Sequence, residues 1–447
     1  MSNIKSAHFS NNLDATNRNE TSALIVKDIP LALYIHIPWC VKKCPYCDFN
    51  SHELPMDSQL SMYDEYVDTL LLDAASQQAL TQGREISSIF IGGGTPSLLP
   101  IAQYQRLFNS LREIFRFAGD IEVTMEANPG TLEHAPFAEY LKVGINRLSI
   151  GVQSFAAEQL TTLGRIHNPA QAISAIKAAR RAGFERVNVD LMHGLPKQTM
   201  SEALNEIQMA HDAGATHISW YQLTIEPNTV FYRSQPILPD EDSLADIEQA
   251  GQALLESLGY NNYEVSAWAG ASDKPCRHNV NYWQFGDYLA IGAGAHGKVT
   301  IAKDVSQELT AEKMSDEILK NEAGIYRFSK SRLPKDYMGY QDEAKQNEIS
   351  QNNQMVTIPK TPMPPKMVGW QAIASDELVS EFMLNALRLH DGVAWSLFEA
   401  RTGLSYDSIA LQVNKLIKQG LLIDDNEHLQ PTALGKRYLN QILREFL

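Results

Sequence analysis

The chain is poor in cysteine, with four in 447 residues. A disulfide framework would distribute its cysteines evenly along a short secreted domain. Here Cys40, Cys44 and Cys47 fall within eight residues and Cys276 stands far from them. That pattern argues against a stapled extracellular fold and for a metal or redox site in a reducing cytosol. The chain lacks any apolar run of about 18 residues, so no integral membrane segment is expected. It also lacks an excess of positive charge, since 38 Lys and Arg face 53 Asp and Glu, a net charge of −15. Broad attraction to a phosphate backbone is therefore excluded as its working principle, and nucleic acid is not an expected partner. The N-terminal stretch has neither the apolar core of a secretory signal nor an Arg-rich amphipathic pattern, so a cytoplasmic location is expected. What the chain does have is core material: 44% of its residues are hydrophobic and 20% charged, a globular composition.

Residues 1–30 carry Asn3, Asn11, Asn12, Asn17 and Asn19 with little periodicity and read as a disordered extension. From Leu31 a repeating pattern begins. Strand-like runs occur at Leu31–Ile37, Ile86–Ile91, Ile121–Glu126, Asn146–Val152, Arg186–Leu191 and Thr216–Leu223. Helix-length stretches separate them, clearest at Ala170–Ala182, with apolar residues three and four apart. Gly144, Gly183, Gly214 and Gly259 each stand just before a strand, where a left-handed residue closes the preceding helix. Strands alternating with helices predict βαβ units and a parallel sheet. Six or seven units predict an α/β fold with an open, incomplete (β/α)6-type barrel over residues 31–300; a doubly wound sheet is the competing topology. Residues 301–375, with QDEAKQNEISQNNQ and PKTPMPPK, read as a polar, Pro-rich linker or insertion. Residues 376–447 predict an α+β winged-helix-like unit: two helices, a β-wing at LLIDDNEHLQPT and a last helix. Seven Lys and Arg against ten Asp and Glu make that unit acidic. A packing or lid role suits it better than DNA binding.

The chemistry concentrates in YIHIPWCVKKCPYCDF, Tyr34 to Phe49, just after the first strand. Its spacing is C-x3-C-x2-C. Three thiolates can hold three irons of a [4Fe–4S] cube and leave the fourth open to an exogenous ligand. Loops at the C-terminal ends of barrel strands are where such folds build sites. A zinc knuckle completed by His36 or His52, serving a zinc-binding interaction module, is the competing reading. IFIGGGTPS follows the second strand and carries Gly93, Gly94 and Thr95; bare glycines let a backbone approach a ligand. Glu126 in MEANPG, Gln153 in ISIGVQSF, Asp190 in VNVDLMHGLP and Gln222 in WYQLTIEPNT each lie at a strand end, and Arg165 in LGRIH follows one. Any one of these could be satisfied in a turn, but their repetition over consecutive strands points to a shared site. Farther on, HNVNYW (His278 to Trp283) sets His278, Tyr282 and Trp283 within six residues, just after Cys276. On the residues alone, core aromatics and a loop-capping histidine are the preferred reading. His296 in GAGAHGKV faces a pocket or is simply buried.

The cysteine loop, the glycine run and the strand-end residues, in this order, resemble the radical S-adenosylmethionine (radical SAM) superfamily. Outside the insertion, residues 31–447 are similar to the anaerobic coproporphyrinogen III oxidase family. The resemblance implies a [4Fe–4S] cluster on Cys40, Cys44 and Cys47, with S-adenosylmethionine on the open iron. It implies Tyr34, Gly93 and Glu126 around that molecule, and Tyr46, Gly94, Thr95, Gln153, Arg165, Asp190 and Gln222 around a second one. The oxidases carry a further cysteine two residues after the third ligand, where this chain has Phe49. The resulting C-x3-C-x2-C-x-F pattern, and the HNxxYW signature matched by HNVNYW, resemble the haem chaperone branch. That branch implies haem as cargo, with His278, Tyr282 and Trp283 supplying an axial ligand type and an aromatic wall, and Cys276 and His296 as further candidate ligands. It also implies haem-accepting respiratory proteins as partners and room for a homodimer. Oxidative decarboxylation of coproporphyrinogen III in porphyrin biosynthesis is the alternative activity.

Overall fold

The computed structural model describes residues 24–54, 59–131, 136–302, 323–339, 368–425 and 427–447. Six parallel strands follow one another both in the chain and in space: β1 (Leu31–Ile37), β2 (Ile86–Gly93), β3 (Phe117–Ala127), β4 (Arg147–Gln153), β5 (Arg186–His193) and β6 (His217–Gln222). A doubly wound sheet would reverse this order at a switch point. The observed order does not reverse, and the arrangement is the incomplete β/α barrel. β-Branched and apolar residues suit these strands because both faces are covered, by the barrel interior and by the outer helices. The helix Pro169–Arg181 shows how the outer layer is fixed. Asn168 and Gln171 form a reciprocal capping box at its start, and it buries Ala172, Ala175, Ile176 and Ala179 against the sheet. Gly144, Gly183, Gly214 and Gly259 have φ of 107°, 101°, 104° and 84°, the left-handed turn out of a helix.

After β6 the chain extends the sheet at both edges. β7 (Tyr260–Glu264) and β8 (Ala267–Gly270) form an antiparallel hairpin beside β6. β9 (Asp287–Ile291) returns parallel to β1 on the other side. β10 (His296–Ile301), β11 (Gly324–Lys330) and β12 (Val368–Ala372) continue antiparallel from it, giving a sheet of twelve strands among the described residues.

The structure bears on two expected boundaries. Within the linker or insertion expected over 301–375, β11 and β12 join the main sheet. Its polar composition hides long-range pairing: Lys330 Nζ lies 2.7 Å from Asp73 Oδ1, and the Tyr337 hydroxyl donates to Asp73 Oδ2 at 2.7 Å, all three buried. A buried ion pair with its hydrogen bonds satisfied is tolerated where lone charges are not. Residues 303–322 and 340–367, including the Pro-rich stretch, lie outside the described residues. Of the disordered extension expected over 1–30, residues 24–30 are packed against the rest of the chain. Val26 and Ile29 are buried, and Arg401 Nη1 donates to Asp28 O at 3.2 Å. Residues 1–23 lie outside the described residues.

The C-terminal unit has helices at Leu378–Ala386, Trp395–Thr402 and Ala410–Lys418. Its wing is an antiparallel turn bridged at Leu422 and Pro431. Phe382, Phe398, Val413, Leu416 and Ile442 form a second core, which also takes in Phe285 and Ile325 from the barrel side. Arg388 stacks over the Trp283 ring at 4.4 Å. Arg327 from β11 pairs with Glu381. The unit thus backs the helix Arg277–Trp283, which carries the HNVNYW motif.

Candidate cofactor-binding site

The loop between β1 and the helix Gln59–Ser76 carries the three clustered cysteines. It is closed by its own backbone: Trp39–Cys40 pairs with His52–Glu53, and Cys47 N–H donates to Cys44 O at 3.2 Å. The end of β2 holds it from the side. Gly94 N–H donates to Ile37 O at 2.7 Å, and Thr95 N–H to Trp39 O at 2.7 Å. A Cβ on Gly94 would sit 2.5 Å from Trp39 O, so only glycine fits there.

Cys40, Cys44 and Cys47 line one cavity of about 290 Å³ together with Tyr46, Gly93, Gly94, Thr95, Glu126, Gln153, Arg165 and Asp190. Residues scattered over 150 positions meet because each stands at the C-terminal end of a successive strand or just beyond one. Glu126 accepts from Gly93 N–H at 3.3 Å. Burial, and next the charge of Asp190, push its carboxyl up to about 8. Asp190 is also raised by burial, although Ser149 Oγ at 3.1 Å and Asn188 Nδ2 at 2.8 Å donate to it. Two desolvated carboxyls facing one cavity are suited to an amine or a ribose hydroxyl. Gln153 has φ of 69°, the left-handed region, and the Tyr221 hydroxyl donates to its Oε1 at 2.6 Å. A non-glycine residue held there costs about 1–3 kcal/mol and marks a position fixed by its surroundings. Arg165 Nη2 donates to Gly151 O at 2.6 Å, and Nη1 to Cys44 Sγ at 3.5 Å.

Two of the expected residues lie outside this lining. Gln222 is exposed and does not line this cavity; Tyr221 does. Successive strand residues point to opposite faces. On β6, His217, Ser219 and Tyr221 turn to Asn188 and Gln153 inside the barrel, which leaves Gln222 outside. That alternation is visible in HISWYQ and would have picked the tyrosine. Tyr34 is outside the lining of this cavity, but it lines the adjoining one together with Gly93 and Glu126, the two residues expected beside it. It belongs to the middle of β1, and its hydroxyl is bonded to His36 Nδ1 at 3.0 Å.

The residues present fit a cluster held by three thiolates better than a zinc knuckle. His36 has both ring nitrogens engaged, with Nε2–H donating to Asn50 O at 2.8 Å and Nδ1 accepting from Tyr34. His52 is bonded to Arg332 O at 3.3 Å. Neither histidine lines the thiol cavity. Among the described residues no three His, Cys, Asp or Glu side chains converge as a single ion requires. Cys276 is fully buried, its Sγ 3.5 Å from Glu122 Oε1, and burial pushes its thiol up to about 11. It is therefore not a ligand candidate for either group.

A second cavity, about 660 Å³, adjoins the first. Tyr34, Phe90, His278, Tyr282, Trp283 and Tyr288 give it an aromatic wall, with His296 and Arg332 also lining it. Phe49, Gly93 and Glu126 line both cavities. His278 and Tyr282 are four apart on the helix Arg277–Trp283 and so share a face. The His278 ring stacks on Phe90 at 5.1 Å and its Nδ1 has no hydrogen-bond partner. Burial lowers its imidazole to about 4, so the ring is neutral. His296 is exposed at the edge of the same space. Phe90, Tyr288 and Arg332 were not singled out in the sequence. Phe90 lies inside an apolar strand, and no local pattern distinguishes it from core.

Comparison with known proteins agrees with this layout. A family model described as the Radical SAM superfamily matches residues 34–210, and one for the HemN C-terminal domain matches 373–438. Heme chaperone HemW of Escherichia coli (strain K12) is 44% identical over 423 residues, covering 95% of this chain and 100% of that protein. Heme chaperone HemW of Haemophilus influenzae is 43% identical, covering 94% and 98%. Among solved structures, the coproporphyrinogen III oxidase HemN from Escherichia coli, a radical SAM enzyme, aligns with a TM-score of 0.69 at 24% identity. That alignment covers 94% of this chain and 90% of HemN, a likeness of fold. The chain belongs to the heme chaperone HemW family of the radical SAM superfamily.

Proposed function

We propose that this chain is a cytoplasmic haem chaperone that holds haem in the aromatic cavity and passes it to haem-accepting respiratory proteins. The observation that carries the proposal is His278: a buried, neutral imidazole with an unpartnered nitrogen, set in an aromatic wall large enough for a flat macrocycle. A neutral imidazole is a standard haem ligand, and Arg332 offers a cation to the propionates. Cys40, Cys44 and Cys47 would hold the [4Fe–4S] cluster in the neighbouring cavity. When bound, that cluster supplies an open iron to which the methionine portion of S-adenosylmethionine can chelate. Glu126 and Asp190 offer two carboxyls to the same ligand, and Gly93 leaves room for it beside them.

Phe49 weighs against decarboxylase activity, since a phenyl ring neither ligates metal nor relays a proton. Haem titrated anaerobically into the purified protein is expected to give a stoichiometric Soret band. His278→Ala should weaken binding by at least tenfold, about 1.4 kcal/mol. No Soret band at stoichiometric haem would overturn the proposal. Release of CO2 and 5′-deoxyadenosine from reconstituted protein given coproporphyrinogen III would reinstate the oxidase activity.

A further inference from the structure

Each of the three clustered thiols has its own hydrogen-bond partner, and each partner comes from a different segment. Thr95 Oγ1, beyond β2, lies 3.6 Å from Cys40 Sγ. Ser51 Oγ, at the end of the cysteine loop, lies 3.7 Å from Cys47 Sγ. Arg165 Nη1, beyond β4, lies 3.5 Å from Cys44 Sγ. Once the sulfurs are thiolates, all three partners can only donate. Two of these donors are neutral and one is a cation, so the set is unequal.

Arg165 is placed with unusual care for a side chain on a turn. Its other terminal nitrogen is anchored to Gly151 O at 2.6 Å, and a Cβ on Gly151 would stand 3.5 Å from that nitrogen. Its Nε is buried without a partner. Its two terminal nitrogens go to Gly151 O and Cys44 Sγ, neither of them a carboxylate. Burial works against its charge, and Tyr46, Cys44 and Tyr221 are the groups around it that offset that cost. With a cluster bound, the guanidinium would face the thiolate of Cys44 directly. A cluster on three thiolates is net negative and gains one further negative charge on reduction.

We infer that Arg165 is a positioning residue that sets the electronic balance of the cluster through Cys44. This rests on the cluster assignment proposed above. A fixed cation in a water-poor cavity stabilises the more negative, reduced state. An N–H donor to sulfur also draws electron density away from the iron it ligates, and both effects raise the reduction potential. Thr95 and Ser51 act in the same direction through dipoles alone and so act more weakly.

The test is an anaerobic potentiometric titration of reconstituted full-length protein, followed by electron paramagnetic resonance, without S-adenosylmethionine. Leaving that ligand out removes any contact it makes with Arg165. At the potential where half the wild-type clusters are reduced, Arg165→Met should lower the reduced-to-oxidised ratio about tenfold, which is about 59 mV for a one-electron couple. Arg165→Lys keeps the charge but loses the fork, and should fall between. Thr95→Val and Ser51→Ala should each change the ratio by less than Arg165→Met. Iron per chain is measured on every sample. Full iron content with an unchanged potential in Arg165→Met overturns the inference. So does loss of iron from both Arg165 variants, since the residue would then be needed to assemble the cluster. Wild-type protein that holds no iron would instead reject the cluster assignment on which it rests.

Discussion

The two cavities share a wall but are built by opposite rules. The smaller one draws single polar residues from successive strand ends, in chain order, around three thiols of one loop. The larger one gathers aromatic residues from the middle of β1 and β2, from a helix some 240 residues later, and from β9 and Arg332. One is a product of barrel topology, which repeats. The other is a product of packing across the edge where β9 rejoins β1, which happens once. The difference predicts that their ligands can be separated by mutation, with only Phe49, Gly93 and Glu126 common to both.

The largest effect should come from the thiols. Changing Cys40, Cys44 or Cys47 to Ser is expected to abolish cluster iron and the brown absorbance. The haem Kd should stay within about twofold, well under the 1.4 kcal/mol of a tenfold change. Metal analysis of anaerobically purified protein gives the first half, and haem titration the second. Joint loss of both cofactors would show that the cavities are one site. Zinc in place of iron in the wild type would restore the interaction-module reading.

Next in size is Asp190, which lines only the smaller cavity. Asp190→Ala removes one of the two desolvated carboxyls and takes an acceptor from Ser149 Oγ, while Asn188 Nδ2 keeps its bond to Ser149 Oγ. S-adenosylmethionine affinity, measured by equilibrium dialysis on the reconstituted protein, should fall about tenfold or more, as for loss of a charged hydrogen bond. Haem binding should be unchanged. Equal losses for both ligands would break the division between the cavities.

This asymmetry also explains what the sequence could reveal. The six barrel strands were legible because two-sided burial writes itself as short apolar runs, and glycines at helix ends punctuate them. Most of the smaller cavity was legible because one polar residue after another marks successive strand ends. Gln222 failed where its neighbour Tyr221 had the correct strand phase. The aromatic wall was legible mainly at HNVNYW, where several of its residues are close in sequence, and otherwise at Tyr34 and His296. Phe90 and Tyr288 meet His278 and Tyr282 through pairing of distant strands, which no local pattern encodes. The same holds for Lys330 and Tyr337 on Asp73, which turn part of an apparent linker into sheet.

Phe49 tests the wall itself. Its side chain is 62% exposed, so truncation should hardly affect folding. Phe49→Ala should weaken haem binding by about two- to tenfold, the range of one aromatic contact. It should also make haem and S-adenosylmethionine mutually competitive, since the removed ring borders both spaces. Independent binding of the two ligands in this variant would mean that Gly93 and Glu126 alone keep the cavities apart.

The smallest expected effect distinguishes the two histidines of the aromatic cavity. A proton and iron compete for the same imidazole nitrogen, so affinity falls about tenfold per pH unit below the pKa of the free ligand. His278 is held neutral by burial down to about pH 4. With His278 as the ligand, haem affinity measured by titration should stay nearly flat from pH 8 to pH 5.5. An imidazole at its ordinary value of about 6.5 would lose roughly tenfold by pH 5.5. Partial burial lowers His296 too, but that ring is exposed, so its affinity should fall at higher pH than that of His278. A flat profile that becomes steep only in His278→Ala would place the iron on the buried ring and leave His296 as the substitute.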